Sequence, residues 1–219
     1  MTASTLVHIP AGSVTVEGML EIPEQAVGLV LFAHGSGSSR HSPRNNYVAG
    51  VLRQAGVGTL LMDLLTPEED RDYERRFDIA LLTQRLMDAA RWVVSQPELN
   101  EIPLGFFGAS TGAAAALEAA AILGEEARAV VSRGGRPDMA SPEALATVTA
   151  PTLLLVGGLD DVVIDLNRQA YDQLRCKKEL VIVPGATHLF EEAGTLEAVA
   201  HQAAAWFAHH LAAKSARLS

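Results

Sequence analysis

Residues 104–116 read LGFFGASTGAAAA, and the fold turns on this stretch. An apolar run, Leu104-Gly105-Phe106-Phe107, becomes an alanine-rich helical run through Gly108-Ala109-Ser110-Thr111-Gly112. A short continuous apolar run fits a strand buried on both faces of a sheet. Glycines either side of a lone serine fit a strained strand-to-helix turn, which packs against neighbouring backbone and pushes the hydroxyl outward. Such a serine sits at a helix N-terminus, where unpaired N–H groups favour developing negative charge. The plainer alternative is a helix N-cap with incidental glycines.

Working outward, the same apolar signature recurs at 27–34, 57–64, 127–133, 151–158 and 178–185, beside the run at 102–108. Alternation over 13–22 predicts an antiparallel, half-buried strand paired with a short one near 6–9. Helical patterns occupy 43–55, 77–96, 111–123, 164–175 and 193–213. Strand and helix alternate throughout, which predicts an α/β fold with a mostly parallel sheet. Only about 17 residues separate the strands ending at Arg133 and starting at Pro151, too few for a cap domain. The expectation is a single domain over 1–219. The polar insert TPEEDRDYERR (66–76) reads as a mobile acidic flap.

Composition narrows the function. The 219 residues are 48% hydrophobic and 20% charged, which fits a globular protein and excludes disorder. A formal charge of −9 without a basic face argues against a nucleic-acid partner. One cysteine, Cys176, allows no intrachain disulfide and makes a reducing compartment the default. The N-terminal stretch shows no secretory pattern, and no apolar run reaches membrane-spanning length. A cytoplasmic protein with no membrane partner is expected, as a monomer or a homodimer.

In open parallel sheets, ligands bind beyond the carboxyl ends of the strands, so the residues following each strand converge in space. They include His34-Gly35-Ser36-Gly37, Asp63, Ser110, Arg133-Gly134-Gly135-Arg136, Asp160-Asp161 and His188. His188, just past the last strand, can reach over the sheet to Ser110 as general base. Asp160 can orient that imidazole, and its spacing from Gly157 favours it over Asp161; helix capping is the alternative for both. Chain order is then Ser110, Asp160, His188. The Gly-rich loop after His34 suits an oxyanion hole, with Ser36 donating ahead of Gly37, completed by the Thr111 N–H. His34 itself reads as a buttress of that loop.

Leu64, Leu159 and Leu189 flank these loops as candidate apolar substrate contacts, with ordinary packing as the alternative. Among Arg40, Arg44, Arg133 and Arg136, any of which could hold a carboxylate, Arg133 and Arg136 lie nearest a strand end. No nucleotide-binding loop, no H-E-x-x-H and no Cys/His cluster is present, so neither metal nor organic cofactor is expected.

With these residues placed, the chain resembles the α/β-hydrolase superfamily, in its dienelactone hydrolase-like branch, over about residues 13–210. The resemblance rests on HGSGSSRHSPRN, GASTGAAAAL, GGLDDVV and GATHLF in the right order. It implies an eight-stranded, largely parallel sheet with helices on both faces and a Ser110–His188–Asp160 triad. Dienelactone hydrolases proper use a cysteine nucleophile, whereas this chain has Ser110, and Cys176 reads as a helix-face residue. The expectation is a serine esterase acting on small carboxylic esters through an acyl-enzyme. Lactone or thioester hydrolysis, acyl transfer, attack on a phosphorus ester, or a non-catalytic binding role are the alternatives.

Overall fold

A computed structural model of the chain describes residues 4–212. Eight strands form one sheet: β1 (Thr5–Ala11), β2 (Val14–Glu21), β3 (Leu29–Ala33), β4 (Gly58–Met62), β5 (Leu104–Ala109), β6 (Ala127–Arg133), β7 (Thr152–Gly157) and β8 (Lys178–Val183). Their spatial order is β1-β2-β4-β3-β5-β6-β7-β8. β1 and β2 pair antiparallel, as does β2 with β4, and all later pairings are parallel. The chain therefore leaves β4 for the opposite side of β3. The crevice between the ends of β3 and β5 is the switch point where α/β sheets bind ligands.

Period-two alternation feeds both faces of the sheet. Leu29, Leu31 and Phe106 enter one core layer, while Val30, Phe32 and Phe107 enter the other. The first layer packs beneath α2 (Ile79–Ser95) and α3 (Thr111–Leu123). The second is covered by α1 (Pro43–Gln54) and α6 (Thr195–Ala212). The central strands are apolar throughout because neither of their faces meets water. Among the described residues, no helix is long and apolar enough to cross a membrane.

Several expectations need correcting. The segment between β6 and β7 holds a short helix, α4 (Pro142–Thr147), started by Ser141 Oγ accepting from Ala144 N–H, which short-range periodicity had missed. α5 (Asp161–Gln173) begins three residues earlier than its apolar pattern and ends before Cys176. That cysteine lies half-buried in the α5–β8 loop, its Sγ 3.7 Å from Thr152 Oγ1, and burial pushes its thiol pKa up. The predicted last position of the C-terminal helix, 213, lies outside the described residues.

The 66–76 insert is an anchored strap. Thr66 and Glu69 cap each other reciprocally, at 2.9 and 3.2 Å, and Glu69 also takes the Arg85 guanidinium from α2 at 2.7 Å. Arg76 donates to the Asp70 carbonyl.

Phe107 is fully buried and stacks on Phe32 with ring centroids 4.8 Å apart. Phe107→Ala removes a side chain that surrounding strands cannot collapse to replace, and is expected to cost about 3–5 kcal/mol in urea unfolding. Ile122→Ala, on the exposed side of α3, is expected to change stability by under about 0.5 kcal/mol.

Candidate active site

β5 runs straight into α3 through Ser110, whose backbone sits at φ 50°, ψ −122°. A side-chain-bearing residue in that region is strained and needs surrounding structure to hold it. Gly112 makes the turn possible by lying against the Ala33 carbonyl oxygen at the end of β3, where a methyl group would collide with it. A methyl on Gly108 would come to 2.6 Å from the Ala113 nitrogen. Further bonds fix the turn: Ser110 N–H donates to the Arg133 carbonyl at 3.3 Å, and Arg136 N–H donates to the Ser110 carbonyl at 3.0 Å.

Ser110 occupies the N-cap position of α3, yet its side chain makes no capping hydrogen bond. Asp160 stands likewise at the head of α5 without capping it. Its Oδ2 instead accepts from His188 Nδ1 at 2.7 Å. With Nδ1 donating to the carboxylate, Nε2 is left as the basic nitrogen. Asp161, by contrast, is exposed.

His188 and Ser110 line one open cavity of about 370 Å³ at the ends of β3, β5 and β6. Among the described residues no hydrogen bond joins the two side chains. In unliganded sites this contact commonly tightens only when substrate binds.

The N–H groups of Ser36, Gly37 and Thr111 donate to no acceptor among the described residues, and Ser36 and Thr111 border the cavity. The loop carrying Ser36 is held by His34. Leu64 N–H donates to His34 Nε2 at 3.0 Å, so the ring proton is on Nδ1, which donates to the Gly35 carbonyl at 2.9 Å. Farther along the same loop, Arg40 is clamped by Asp63 and Glu17, and its backbone N–H donates to Asp63 Oδ1 at 2.8 Å. Arg40 is thus a structural cation, unavailable to a ligand.

The apolar candidates divide. Leu189 borders the cavity. Leu64 is 0% exposed: with its N–H tied to His34, its side chain turns into the core layer below and away from the cavity. Leu159 is 64% exposed and faces solvent, since its N–H is drawn inward to the Ala186 carbonyl. Arg133 borders the cavity, as do Arg44 and Arg136. Arg136 is occupied by a two-pronged bond to Asp138, at 2.8 and 2.7 Å.

Sequence reasoning missed Ser42, Asn45 and Phe77 as cavity residues. The Ser42-Pro43 start signal of α1 could have located the first two, because it brings that helix's first turn to the end of β3. Phe77 carried no such signal, since it arrives through the anchored strap.

No family model matches the chain. It is 55% identical to a dienelactone hydrolase from Anabaena variabilis, with a TM-score of 0.92, covering 95% of this chain and 98% of that one. A lid-less α/β serine hydrolase from Xanthomonas campestris shares the fold at 20% identity and TM-score 0.79, covering 98% of both chains. Two curated Mycobacterium tuberculosis proteins carrying the provisional name phosphoribosyl transferase are 58% identical over 205 residues. That match covers 94% of this chain and 46% of theirs, so the chain spans about half the length of those relatives.

The buried His34 gives the site a measurable pH signature. Burial holds its imidazole below the ordinary value of 6.5. Below pH 6.5 the unfolded chain takes up a proton that the folded protein refuses, so stability falls as the solution is acidified. His210 adds a slope of the same sign, held at about 4 by burial and by nearby Lys177 and His209. Urea unfolding from pH 7.5 to 5 is expected to show this decline, with a shallower slope in His34→Gln. Equal slopes in both proteins would show that His34 titrates normally.

Proposed function

The chain belongs to the dienelactone hydrolase-like branch of the α/β-hydrolase superfamily, and from that premise we propose that it is a serine hydrolase of small carboxylic esters. The observation that carries the reading is the strained Ser110, its hydroxyl released from capping and opening into a cavity shared with the Asp160-bound His188.

In the proposed reaction His188 Nε2 takes the Ser110 proton as Oγ bonds to the ester carbonyl carbon. The carbonyl becomes an oxyanion, received by the N–H groups of Thr111 and Ser36. Collapse breaks the bond to the alkoxy oxygen, which leaves with the proton from His188. Water then adds to the acyl-enzyme with His188 again as base, releasing the acid and restoring Ser110. Asp160 holds the ring with Nε2 facing the reaction and stabilises the imidazolium. Lactones and thioesters would follow the same steps with a different leaving atom.

The open cavity with no cap favours short acyl groups, with Leu189 at its edge and Leu64 and Leu159 no longer candidates for contact. The phosphoribosyl transferase name belongs to whole proteins of about twice this length and carries no step of this reading.

Hydrolysis of p-nitrophenyl esters from acetate to octanoate tests it. The native protein is expected to show an acyl-enzyme burst and a preference for short chains. Ser110→Ala is expected to lose about 10³-fold or more in kcat. Equal rates in the two proteins would reject Ser110 as nucleophile.

A further inference from the structure

The inner face of α1 carries one residue out of keeping with the rest. Asn45, Val48, Ala49 and Leu52 are its buried positions, spaced as a single helical stripe. The last three enter the core layer beneath the helix and are fully buried. Asn45 heads the same stripe at 2% exposure, where an amide is a poor substitute for an apolar side chain. Its Oδ1 is buried without a hydrogen-bond partner, and its Nδ2 donates to none of the described residues. The other deeply buried asparagine, Asn167, also leaves its Oδ1 unpaired, but its Nδ2 holds the Gly135 and Val163 carbonyls at 3.0 and 2.8 Å. Asn45 ties down no backbone in that way.

The difference lies in what each side chain faces. Asn45 borders the catalytic cavity of about 370 Å³, together with Ser42, Ser110 and His188. Ser42 Oγ accepts from Asn45 N–H at 3.3 Å, which fixes both residues on one turn, and its own proton has no acceptor among the described residues. Arg44, between them in the chain, contacts Glu191 at 3.5 Å. This turn therefore offers the cavity an amide with both ends free and a hydroxyl proton. A half-turn of the amide exchanges its ends without changing its shape, so either can face a ligand. A neutral hydroxyl, which gives one proton and accepts another, matches the set. An anion has no proton for the amide oxygen, and an apolar group would keep water away and leave the amide unpaired.

We propose that the first turn of α1 is a hydroxyl-binding subsite, and that the esters cleaved here carry a neutral hydroxyl close to the scissile bond. Asn45 Oδ1 accepts the proton of that hydroxyl, while Asn45 Nδ2 or Ser42 Oγ–H donates to its oxygen. A cavity of this volume holds one small molecule, so the group at α1 and the carbonyl at Ser110 belong to the same substrate. The inference rests on the ester-hydrolase reading above and names its substrate class. Asn45 is a specificity residue in this scheme: it touches a part of the substrate that does not react.

Pairs of esters that differ by a hydroxyl in place of a methyl group test it. One arm places the hydroxyl on the acyl side and compares ethyl 3-hydroxybutanoate with ethyl 3-methylbutanoate. The other places it on the alcohol side and compares 2-hydroxyethyl acetate with propyl acetate. Acid release gives kcat/KM, and the ratio within each pair is divided by the same ratio for hydroxide-catalysed hydrolysis. The native enzyme is expected to favour the hydroxyl member about tenfold or more in one arm, which identifies the side of the ester held at α1. Asn45→Leu, which continues the apolar stripe at similar volume, is expected to bring that ratio close to one. A merely structural role for Asn45 would slow both members of a pair together and leave the ratio unchanged.

Should Asn45→Leu fail to fold, Asn45→Ala reads the same ratio. A native ratio near one in both arms, or a ratio unmoved by substitution, overturns the proposal. The two readings fail separately. Both members of each pair cleaved through Ser110 without hydroxyl preference would sink this inference alone, whereas cleavage persisting in Ser110→Ala would sink the hydrolase reading.

Discussion

The close approach of β3, β5 and α3 at Gly112 governs what the rest of the molecule can do. The Ala33 carbonyl oxygen lies where a Cβ of residue 112 would be, and the helix can begin immediately after β5 only because that atom is missing. The turn forces Ser110 to a positive φ, a conformation that a serine in a free chain seldom adopts. The strain is held by hydrogen bonds into the β6 loop and by two layers of apolar side chains on either face of the sheet. Stability spread over the whole core is what holds one residue in a position useful for chemistry.

The helix starts give a further sign of what these residues are for. Ser42, Asp78 and Ser141 cap α1, α2 and α4 with their side chains, in the ordinary use of Ser and Asp at an N-terminus. Ser110 and Asp160 occupy the equivalent positions of α3 and α5 and do not cap. Each forgoes a bond worth about 1 kcal/mol in helix stability. The Asp160 carboxylate is turned to His188 instead, and the Ser110 hydroxyl faces the cavity. The N-cap alternative that the sequence allowed for both residues loses its physical basis here.

Much of this was legible in the sequence because the governing constraints are local. Strands buried on both faces must be continuously apolar, and β3 to β8 appear as such runs, β2 as an alternation, and β1 only as the short partner that alternation calls for. In Gly108-x-Ser110-x-Gly112, the first glycine avoids a local clash with Ala113, and the second avoids one with the Ala33 carbonyl that only the folded sheet brings near. Other features depend on contacts that sequence order hides. The strap over 66–76 looks mobile from its acids alone, and its anchor, Arg85, lies on the following helix. Leu64 and Leu159 sit at strand ends as Leu189 does, but apolarity does not say which way a loop residue turns. A backbone bond to His34 sends Leu64 inward, and one to Ala186 leaves Leu159 facing water. Of the four candidate arginines the sequence set Arg133 and Arg136 apart by their place at a strand end, whereas the ion pairs of Arg40 and Arg136 depend on contacts that only the fold supplies.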